Sequence, residues 1–248
     1  MRDDNRLKLT LLWCPPGRFK MGSPASDSQA EEYEQPQVEA TLSRGFWLGK
    51  TEVTQGQWEQ VMETSPWKGN EELAKAGENY AVTYVSQVDA LEFCRKLTEQ
   101  ERLAGRLSEN EAYTLPSEAQ WEYACRAGTT TKYSFGNNAF KLGDYAWYGD
   151  NAFDAGRRYA QEVGRKAANP WGFHDLHGNV WEWCLDGYDG KVPGGRDPLV
   201  TTGKDRVMRG GSWGDTAGLA RSALRRWFTP MQRDCNIGFR VALISSEK

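Results

Sequence analysis

Ten residues, Asp175-Leu176-His177-Gly178-Asn179-Val180-Trp181-Glu182-Trp183-Cys184, join a glycine turn to an aromatic strand. The carboxylate of Asp175, exposed backbone carbonyls around Gly178 and the carboxylate of Glu182 suit an oxygen-liganded, flexible Ca²⁺ site. The alternative is a loop-to-strand turn in which Glu182 pairs with an arginine. In both interpretations the residues from Trp181 to Cys184 are predicted to form a strand.

Tryptophan and glycine, which are prominent in this stretch, are also unusually frequent in the whole chain. The 248 residues include 11 tryptophans and 26 glycines. Each buried aromatic side chain removes roughly 150–250 Å² from water, so these tryptophans can supply a core where regular elements are short. Because glycine permits close approaches of the backbone, the composition predicts a loop-rich domain and not a helical bundle.

Three helices are predicted in the N-terminal half. Thr54-Gln55-Gly56-Gln57 has the capping-box pattern, Ser86 precedes a second helix, and Pro116-Ser117 opens a third that stops at Gly128. The second helix has apolar residues at three-residue steps, which are expected to form its buried face: Val88, Leu91, Cys94 and Leu97. After residue 128 no helix longer than a turn or two is expected.

Short strands are predicted around these helices. They are indicated by apolar runs between turn residues at 9–21 (broken by Pro15-Pro16-Gly17), 45–49, 181–184, 206–209 and 237–244. Apolar residues alternate with others along the last run, as in a continuous strand. Because there is no internal repeat and no linker-like change in composition, we predict one α+β domain over residues 1–248.

The charge balance and the cysteines exclude several classes of protein. With 31 basic and 34 acidic residues the net charge is -3, which argues against a nucleic acid partner. No apolar run approaches the ~18 residues that cross a membrane, and the N-terminus has no apolar signal core. The five cysteines (14, 94, 125, 184 and 235) are too widely spaced for a zinc site or a dense disulfide framework. We therefore expect a cytoplasmic protein with reduced thiols.

Common catalytic motifs are absent or out of context. No glycine-rich phosphate loop occurs, so a nucleotide cofactor is not expected. Gly210-Gly211-Ser212-Trp213-Gly214 matches the nucleophile-elbow string, but His174 and His177 precede this serine, whereas the base of such hydrolases follows it. Two histidines alone are also one ligand short of a catalytic zinc site.

Several segments together resemble the formylglycine-generating-enzyme (sulfatase-modifying-factor) family, whose fold is an elaborated C-type lectin-like domain. In chain order they are Phe19-Lys20-Met21-Gly22-Ser23, Phe46-Trp47-Leu48-Gly49-Lys50-Thr51-Glu52-Val53-Thr54, Leu115-Pro116-Ser117-Glu118-Ala119-Gln120-Trp121-Glu122-Tyr123-Ala124, His177-Gly178-Asn179-Val180-Trp181-Glu182-Trp183, Arg209-Gly210-Gly211-Ser212-Trp213 and Ile237-Gly238-Phe239-Arg240-Val241-Ala242. The resemblance implies a single lectin-like domain. It also implies Ca²⁺ ligands at Asp175, the carbonyls of Gly178 and Val180, and Glu182.

The oxidase activity of this family is not expected to carry over. Its enzymes oxidise a substrate cysteine with two copper-binding cysteines, three and eight positions after the serine of the GGS motif. Here Asp215 and Ala220 stand at those positions, and Cys235 is too isolated to rebuild a two-sulfur site. Because Cu(I) prefers soft thiolates, copper is not expected. The alternative, a sulfatase-maturation-type oxidase or a divergent relative that uses another metal, stays open.

The segment 213–240 resembles the variable proteins of diversity-generating retroelements, which use the same lectin-like fold. Some of its residues follow the family pattern and form a presumptive frame: Ala217, Arg221, Ser222, Ala223, Arg225, Pro230, Arg233 and Ile237-Gly238-Phe239-Arg240. The others, here called the interleaved residues, mix chemistries without a period and are predicted to contact ligand: Gly214, Asp215, Thr216, Gly218, Leu219, Leu224, Arg226, Trp227, Phe228, Thr229, Met231, Gln232, Asp234, Cys235 and Asn236.

This arrangement predicts a non-catalytic domain with a diversified surface that recognises a protein ligand. Trp227, Phe228 and Met231 are expected to act as apolar anchors, while charged and amide side chains provide specificity. The alternative is that Trp227 and Leu219 belong to the core and that the rest is neutral loop. An accessory module with a fixed partner would differ only in that its surface does not vary.

Overall fold

Eleven short strands and four helices form the regular structure of residues 1–245, the part of the chain that the computed structural model describes. The strands are β1 (Leu11–Cys14), β2 (Gly17–Met21), β3 (Val38–Leu42), β4 (Phe46–Gly49), β5 (Glu111–Thr114), β6 (Trp181–Gly187), β7 (Gly195–Arg196), β8 (Arg206–Arg209), β9 (Arg225–Phe228), β10 (Ile237–Gly238) and β11 (Ala242–Ser245). The helices are α1 (Gln55–Met62), α2 (Gln87–Leu103), α3 (Glu118–Arg126) and α4 (Leu142–Tyr145).

The strands form three sheets, each from distant parts of the chain. The strand orders are β1-β4-β11-β5, β10-β6-β8-β9 and β2-β3-β7. In the second sheet β10 is parallel to β6, with Ile237 opposite Trp181, and the other neighbours are antiparallel. The fold is therefore the predicted mixture of small sheets, short helices and long loops. Within residues 1–245 no helix combines the length and apolarity needed to cross a membrane.

The three predicted N-terminal helices are confirmed, and each begins with a capping box. The side-chain oxygens of Thr54, Ser86 and Ser117 accept hydrogen bonds from the backbone N–H three residues later. In each case the third residue returns a bond to the N-cap backbone, as in Gln57 Oε1 to Thr54 N at 2.9 Å. These pairs satisfy N–H groups that have no partner inside the helix, which is why their sequence pattern located the helix starts.

The predicted buried face of α2 was partly wrong. Val88 is 47% exposed, whereas Ala90, Phe93, Cys94 and Leu97 are buried. A three-residue step turns only about 300° around an α-helix, so a series of such steps drifts off one face. The buried residues instead follow alternating steps of three and four, which keep them on one side.

The predicted strand at 237–244 is in fact two strands in different sheets. β10 pairs with β6, and β11 pairs with β4 and β5. Arg240 lies where the chain crosses between these sheets, and it is fully buried. Because the crossing is covered on all sides, the apolar alternation here does not separate a buried face from a solvent face.

Aromatic side chains fill the core, as the composition predicts. The Trp58 ring stacks on Phe93 with centroids 5.7 Å apart, and Phe239 meets both rings edge-on. Trp121 and Trp183 are fully buried in the two largest apolar clusters. Burial of these rings compensates for the shortness of the strands and helices.

Candidate ligand-binding site

Buried ion pairs fix the backbone of the segment 213–240. The Arg221 guanidinium donates to both oxygens of Glu34 at 2.6 Å, and Arg225 donates to both oxygens of Glu118 at 2.5 and 2.7 Å. Arg225 also donates to the carbonyl of Tyr33 at 3.0 Å. Since all four charged groups are buried, each arginine has to keep its carboxylate partner. Two points of the segment are thereby tied to the N-terminal half of the chain.

Most of the presumptive frame is buried, while the interleaved residues keep accessible surface with one exception. Among the interleaved residues, Phe228 is 48% and Met231 63% exposed. Leu224 is the exception: it is 1% exposed and packs in the main core. Its prediction as a ligand contact was therefore wrong, because its side chain points inward just before β9. Leu219 is half-buried and packs against the same core.

The strand β9 was not predicted, and it sorts its side chains between two faces. Successive residues of a strand point to opposite sides, so Arg226 and Phe228 share one face and Arg225 and Trp227 share the other. The Trp227 ring stacks on Tyr188 with centroids 3.7 Å apart, and it meets Tyr33 edge-on at 5.1 Å. Trp227 is thus half-buried in an aromatic stack, which agrees in part with the alternative that it serves the core.

A pocket of about 460 Å³ lies beside β9. Its lining is Trp181, Asp215, Leu219, Arg226, Trp227, Phe228, Asp234, Asn236 and Ile237. Apart from Trp181 and Ile237, all of these are interleaved residues. The fold therefore gathers residues from along the segment 213–240, together with Trp181, around one concavity.

Sequence reasoning missed Trp181 and Ile237 as parts of this pocket. They lie opposite each other where β6 and β10 pair, and this pairing brings both side chains to the pocket. The remaining interleaved residues do not line the pocket: Gly214, Thr216, Gly218, Thr229, Met231, Gln232 and Cys235. Several of these lie in the turn from 229 to 235, whose Pro230 carbonyl accepts a hydrogen bond from Gln87 N at the start of α2.

The acidic groups of the pocket are bound by the chain itself. Asp215 Oδ2 accepts a hydrogen bond from Ser212 Oγ, and Asp234 Oδ1 accepts one from Cys235 N at 2.7 Å. Burial raises the pKa of Asp215 above its ordinary value, although hydrogen bonds from Ser212 and the indole of Trp181 and the positive charge of Arg226 oppose this. The half-buried Arg226 differs, since among residues 1–245 no carboxylate oxygen lies within 4 Å of its guanidinium.

The two positions that bind copper in the resembled enzymes have no soft donor here. Asp215 lies at the pocket, while the Ala220 side chain is buried and its carbonyl accepts from His177 Nδ1 at 2.8 Å. A carboxyl group and a methyl group are poor matches for Cu(I), which selects thiolates. The donor set therefore does not fit a copper ion.

The residues predicted to hold calcium fit that ion only in part. Both oxygens of Glu182 accept from Arg240 at 2.6 Å, and Trp121 Nε1 donates to one of them at 2.8 Å. The arginine partner that was the alternative interpretation of Glu182 is thus present. Asp175 Oδ2 accepts from Gly164 N at 2.7 Å, whereas the buried Asp175 Oδ1 has no hydrogen-bond partner within residues 1–245.

The backbone around the predicted calcium ligands is tightly constrained. Gly178 has a φ of 104°, and a Cβ there would lie 2.2 Å from the carbonyl oxygen of Trp147. Val180 is buried in a small apolar cluster. Glu52 lies near Asp175 and also has a buried oxygen, Oε2, without a hydrogen-bond partner in the described part of the chain. Calcium binding stays a prediction. Among the carboxylate oxygens predicted to bind the ion, Asp175 Oδ1 is the one without a hydrogen bond in the described part of the chain.

Comparison with known proteins places this geometry in a family. The model of the sulfatase-modifying factor enzyme 1-like domain matches residues 2–244. The chaperone protein LppX of Paenibacillus barcinonensis is 29% identical over 214 residues, which are 70% of each chain. The mouse formylglycine-generating enzyme is 32% identical over 178 residues, 66% of this chain and 44% of that enzyme. This chain thus matches less than half the length of the mouse enzyme.

A solved structure extends the similarity to the whole fold. Treponema denticola variable protein 1 is 28% identical and superposes with a TM-score of 0.79, with 94% of each chain covered. The predicted resemblance to the lectin-like fold of the formylglycine-generating-enzyme family is confirmed. Since the family model matches nearly every residue, this chain belongs to the family of sulfatase-modifying factor enzyme 1-like domains.

Proposed function

We propose that this protein is a non-catalytic binding protein of the variable-protein type, which recognises a protein ligand with the interleaved residues. The observation that carries the proposal is their arrangement: buried, ion-paired residues hold the segment, while the interleaved residues other than Leu224 keep accessible surface and seven of them line one pocket. Loops and strand ends held by a rigid scaffold are where binding residues tolerate change.

The chemistry of the surface suits a protein ligand. Phe228 and Met231 offer exposed apolar area, and Arg226 and Asp234 offer directed polar contacts close to it. Aromatic, methionine and arginine side chains are enriched at the centres of protein interfaces. The whole-chain similarity to Treponema denticola variable protein 1 supports the same interpretation.

A library experiment tests the proposal without knowledge of the natural ligand. The interleaved residues other than Leu224 are randomised on the displayed protein, and the library is selected against a defined protein such as lysozyme. The control library randomises the same number of exposed positions outside the segment 213–240, including Leu103 and Phe140. We expect specific binders from the first library only. Equal yields from both libraries would contradict the proposal.

The second candidate function is the oxidase activity, which the 32% identity to the mouse formylglycine-generating enzyme favours. A cysteine-containing peptide is incubated with the protein, one equivalent of Cu(I) and oxygen, and loss of the peptide thiol is followed. We expect no loss above the copper-only control, because Asp215 and Ala220 replace the thiolates. Protein-dependent loss of the thiol would establish the enzyme instead.

A further inference from the structure

We propose that the pocket beside β9 binds the carboxylate of an acidic side chain on the protein ligand, through the guanidinium of Arg226. The inference deepens the proposed function and rests on it. The arginines of the segment 213–240 fall into two groups. Most have a carboxylate partner in this chain, and Arg226 has none within residues 1–245.

All the other arginines of the segment are satisfied internally. Arg221 pairs with Glu34, Arg225 with Glu118, Arg240 with Glu182, and the exposed Arg233 with Asp89 at 2.7 and 2.8 Å. In each pair two guanidinium nitrogens bind one carboxylate, which is the geometry that the planar fork of arginine favours. Arg226 has the same fork and, within residues 1–245, no such carboxylate.

The position of Arg226 directs it toward the pocket. In β9 it lies opposite Met208 of β8, and strand alternation separates it from the buried pair of Arg225 and Glu118. Its side chain is half-buried, so part of its hydration is already lost. A charge in such a place interacts more strongly with an opposite charge than one that is fully exposed.

The two aspartates of the pocket do not take the place of the missing carboxylate. Asp215 is bound by Ser212 and Asp234 by the backbone of Cys235. Neither carboxylate lies within 4 Å of Arg226 in the described part of the chain. Each aspartate uses one oxygen in these bonds, and the guanidinium of Arg226 is the cationic group of the pocket lining, without a carboxylate partner in this part of the chain. Its donors call for an acceptor with a negative charge.

The apolar part of the lining fits the stem of an acidic side chain. Leu219, Phe228 and Ile237 provide apolar walls, and the volume of about 460 Å³ admits a side chain together with part of its backbone. These walls shield one side of the ion pair from water, and the fork of arginine favours a bidentate contact with a carboxylate. An aspartate or glutamate inserted here would act as an anchor of the complex.

Blocked amino acids test this inference directly. N-acetyl-glutamate methylamide is titrated into the full chain, and the indole resonances of Trp181 and Trp227 and the Nε–H resonance of Arg226 are followed by NMR. We expect saturable shifts, with binding at least tenfold weaker for the glutamine and lysine analogues. Stronger binding of the lysine analogue would overturn the inference in favour of the aspartates. Stronger binding of N-acetylalanine, which offers only a chain-end carboxylate, would also overturn it.

Variants separate a role of Arg226 from a general effect on the fold. Arg226→Gln is expected to lose the binding of the glutamate analogue, and Arg226→Lys is expected to keep a weaker form of it, because lysine retains the charge but not the fork. Arg233→Gln is the matched control and should bind as the parent does. Unchanged binding by Arg226→Gln, with the melting temperature also unchanged, would refute the assignment.

The outcome is distinguishable from failure of the proposed function. If the display library yields specific binders but the glutamate analogue does not bind, only the carboxylate inference fails. If the analogue binds while the two libraries give equal yields, the pocket recognises carboxylates but the proposed function fails.

Discussion

At the scale of single residues, the segment 213–240 depends on a few buried charges whose partners lie far away in sequence. Arg221 reaches Glu34 and Arg225 reaches Glu118, over separations of 187 and 107 residues. Sequence analysis placed both arginines in the frame because they follow the family pattern. It could not identify their partners, since nothing in the local sequence of Glu34 or Glu118 marks a carboxylate as buried.

The pair between Arg221 and Glu34 gives a stability prediction. Arg221→Met leaves the fully buried Glu34 without its cation, which is expected to lower the free energy of unfolding by about 3–5 kcal/mol. Arg233→Met breaks an exposed pair with Asp89 and should cost less than about 1 kcal/mol. Urea denaturation measures both, and equal losses would mean that burial of the pair is irrelevant to stability.

His177 gives a prediction for the pH dependence of stability. Its imidazole is buried, donates from Nδ1 to Ala220 O and accepts at Nε2 from Ser134 N at 3.1 Å, so it is held in the neutral form. Burial lowers the pKa of His177 from 6.5 to about 4. As the pH falls, the histidine of the unfolded chain is protonated at a higher pH than the buried one. The contribution of neutral His177 to the stability of the fold is therefore complete above pH 6.5 and is lost as the pH falls toward 4.

The gap between the two pKa values of His177 corresponds to about 3 kcal/mol. We therefore expect the free energy of unfolding to decrease by about that amount between pH 6.5 and pH 4, beyond the general loss from carboxylate protonation. His174→Gln, which alters the chain's other histidine, should leave this decrease in place. If the decrease disappears in this variant, the pH dependence comes from His174 and not from His177.

At the scale of elements, sequence reasoning succeeded where the signal is local. The starts of α1, α2 and α3 were located because a capping box satisfies the helix terminus with residues only three positions apart. It failed at β9 and at the crossing between β10 and β11. Those elements are defined by partners far along the chain and by burial of both faces, so periodicity carries little information about them.

The turn from Asp175 to Glu182 gives a prediction about calcium. Asp175 Oδ1 and Glu52 Oε2 are buried acidic oxygens without hydrogen bonds in the described chain, and hard oxygen ligands are those that Ca²⁺ prefers. We expect 1 mM CaCl₂ to raise the melting temperature by several degrees relative to EDTA, because a ligand that binds only the folded state stabilises it.

Substitution at the same turn provides the control for the calcium measurement. Asp175→Asn keeps the size of the side chain but removes its charge, and it should abolish the response to calcium. If the parent protein melts at the same temperature in CaCl₂ and in EDTA, the pairing of Glu182 with Arg240 has replaced the ion, and the calcium prediction is wrong.

At the scale of the whole molecule, the fold separates buried residues, which determine stability, from accessible residues, which we expect to tolerate substitution. The core clusters draw on all three sheets, and Leu224 is the interleaved residue that is a buried member of one; Leu219 and Cys235 pack against clusters from half-buried positions. Tolerance of substitution should therefore follow burial and not position in the segment. The family pattern identifies residues that hold the structure, so it predicted the fold. It did not identify Leu224 as a buried residue, because Leu224 lies outside that pattern.

Shuffling the exposed interleaved residues tests this separation. A variant in which Gly214, Thr216, Gly218, Phe228, Thr229, Met231 and Asp234 exchange identities is expected to melt within a few degrees of the parent, because exposed substitutions usually change stability by less than about 0.5 kcal/mol each. Leu224→Ala, which alters one buried residue of the same segment, should cost about 2–5 kcal/mol. If the shuffled variant unfolds at a lower temperature than Leu224→Ala, these side chains support the fold, and a surface free to vary has no physical basis.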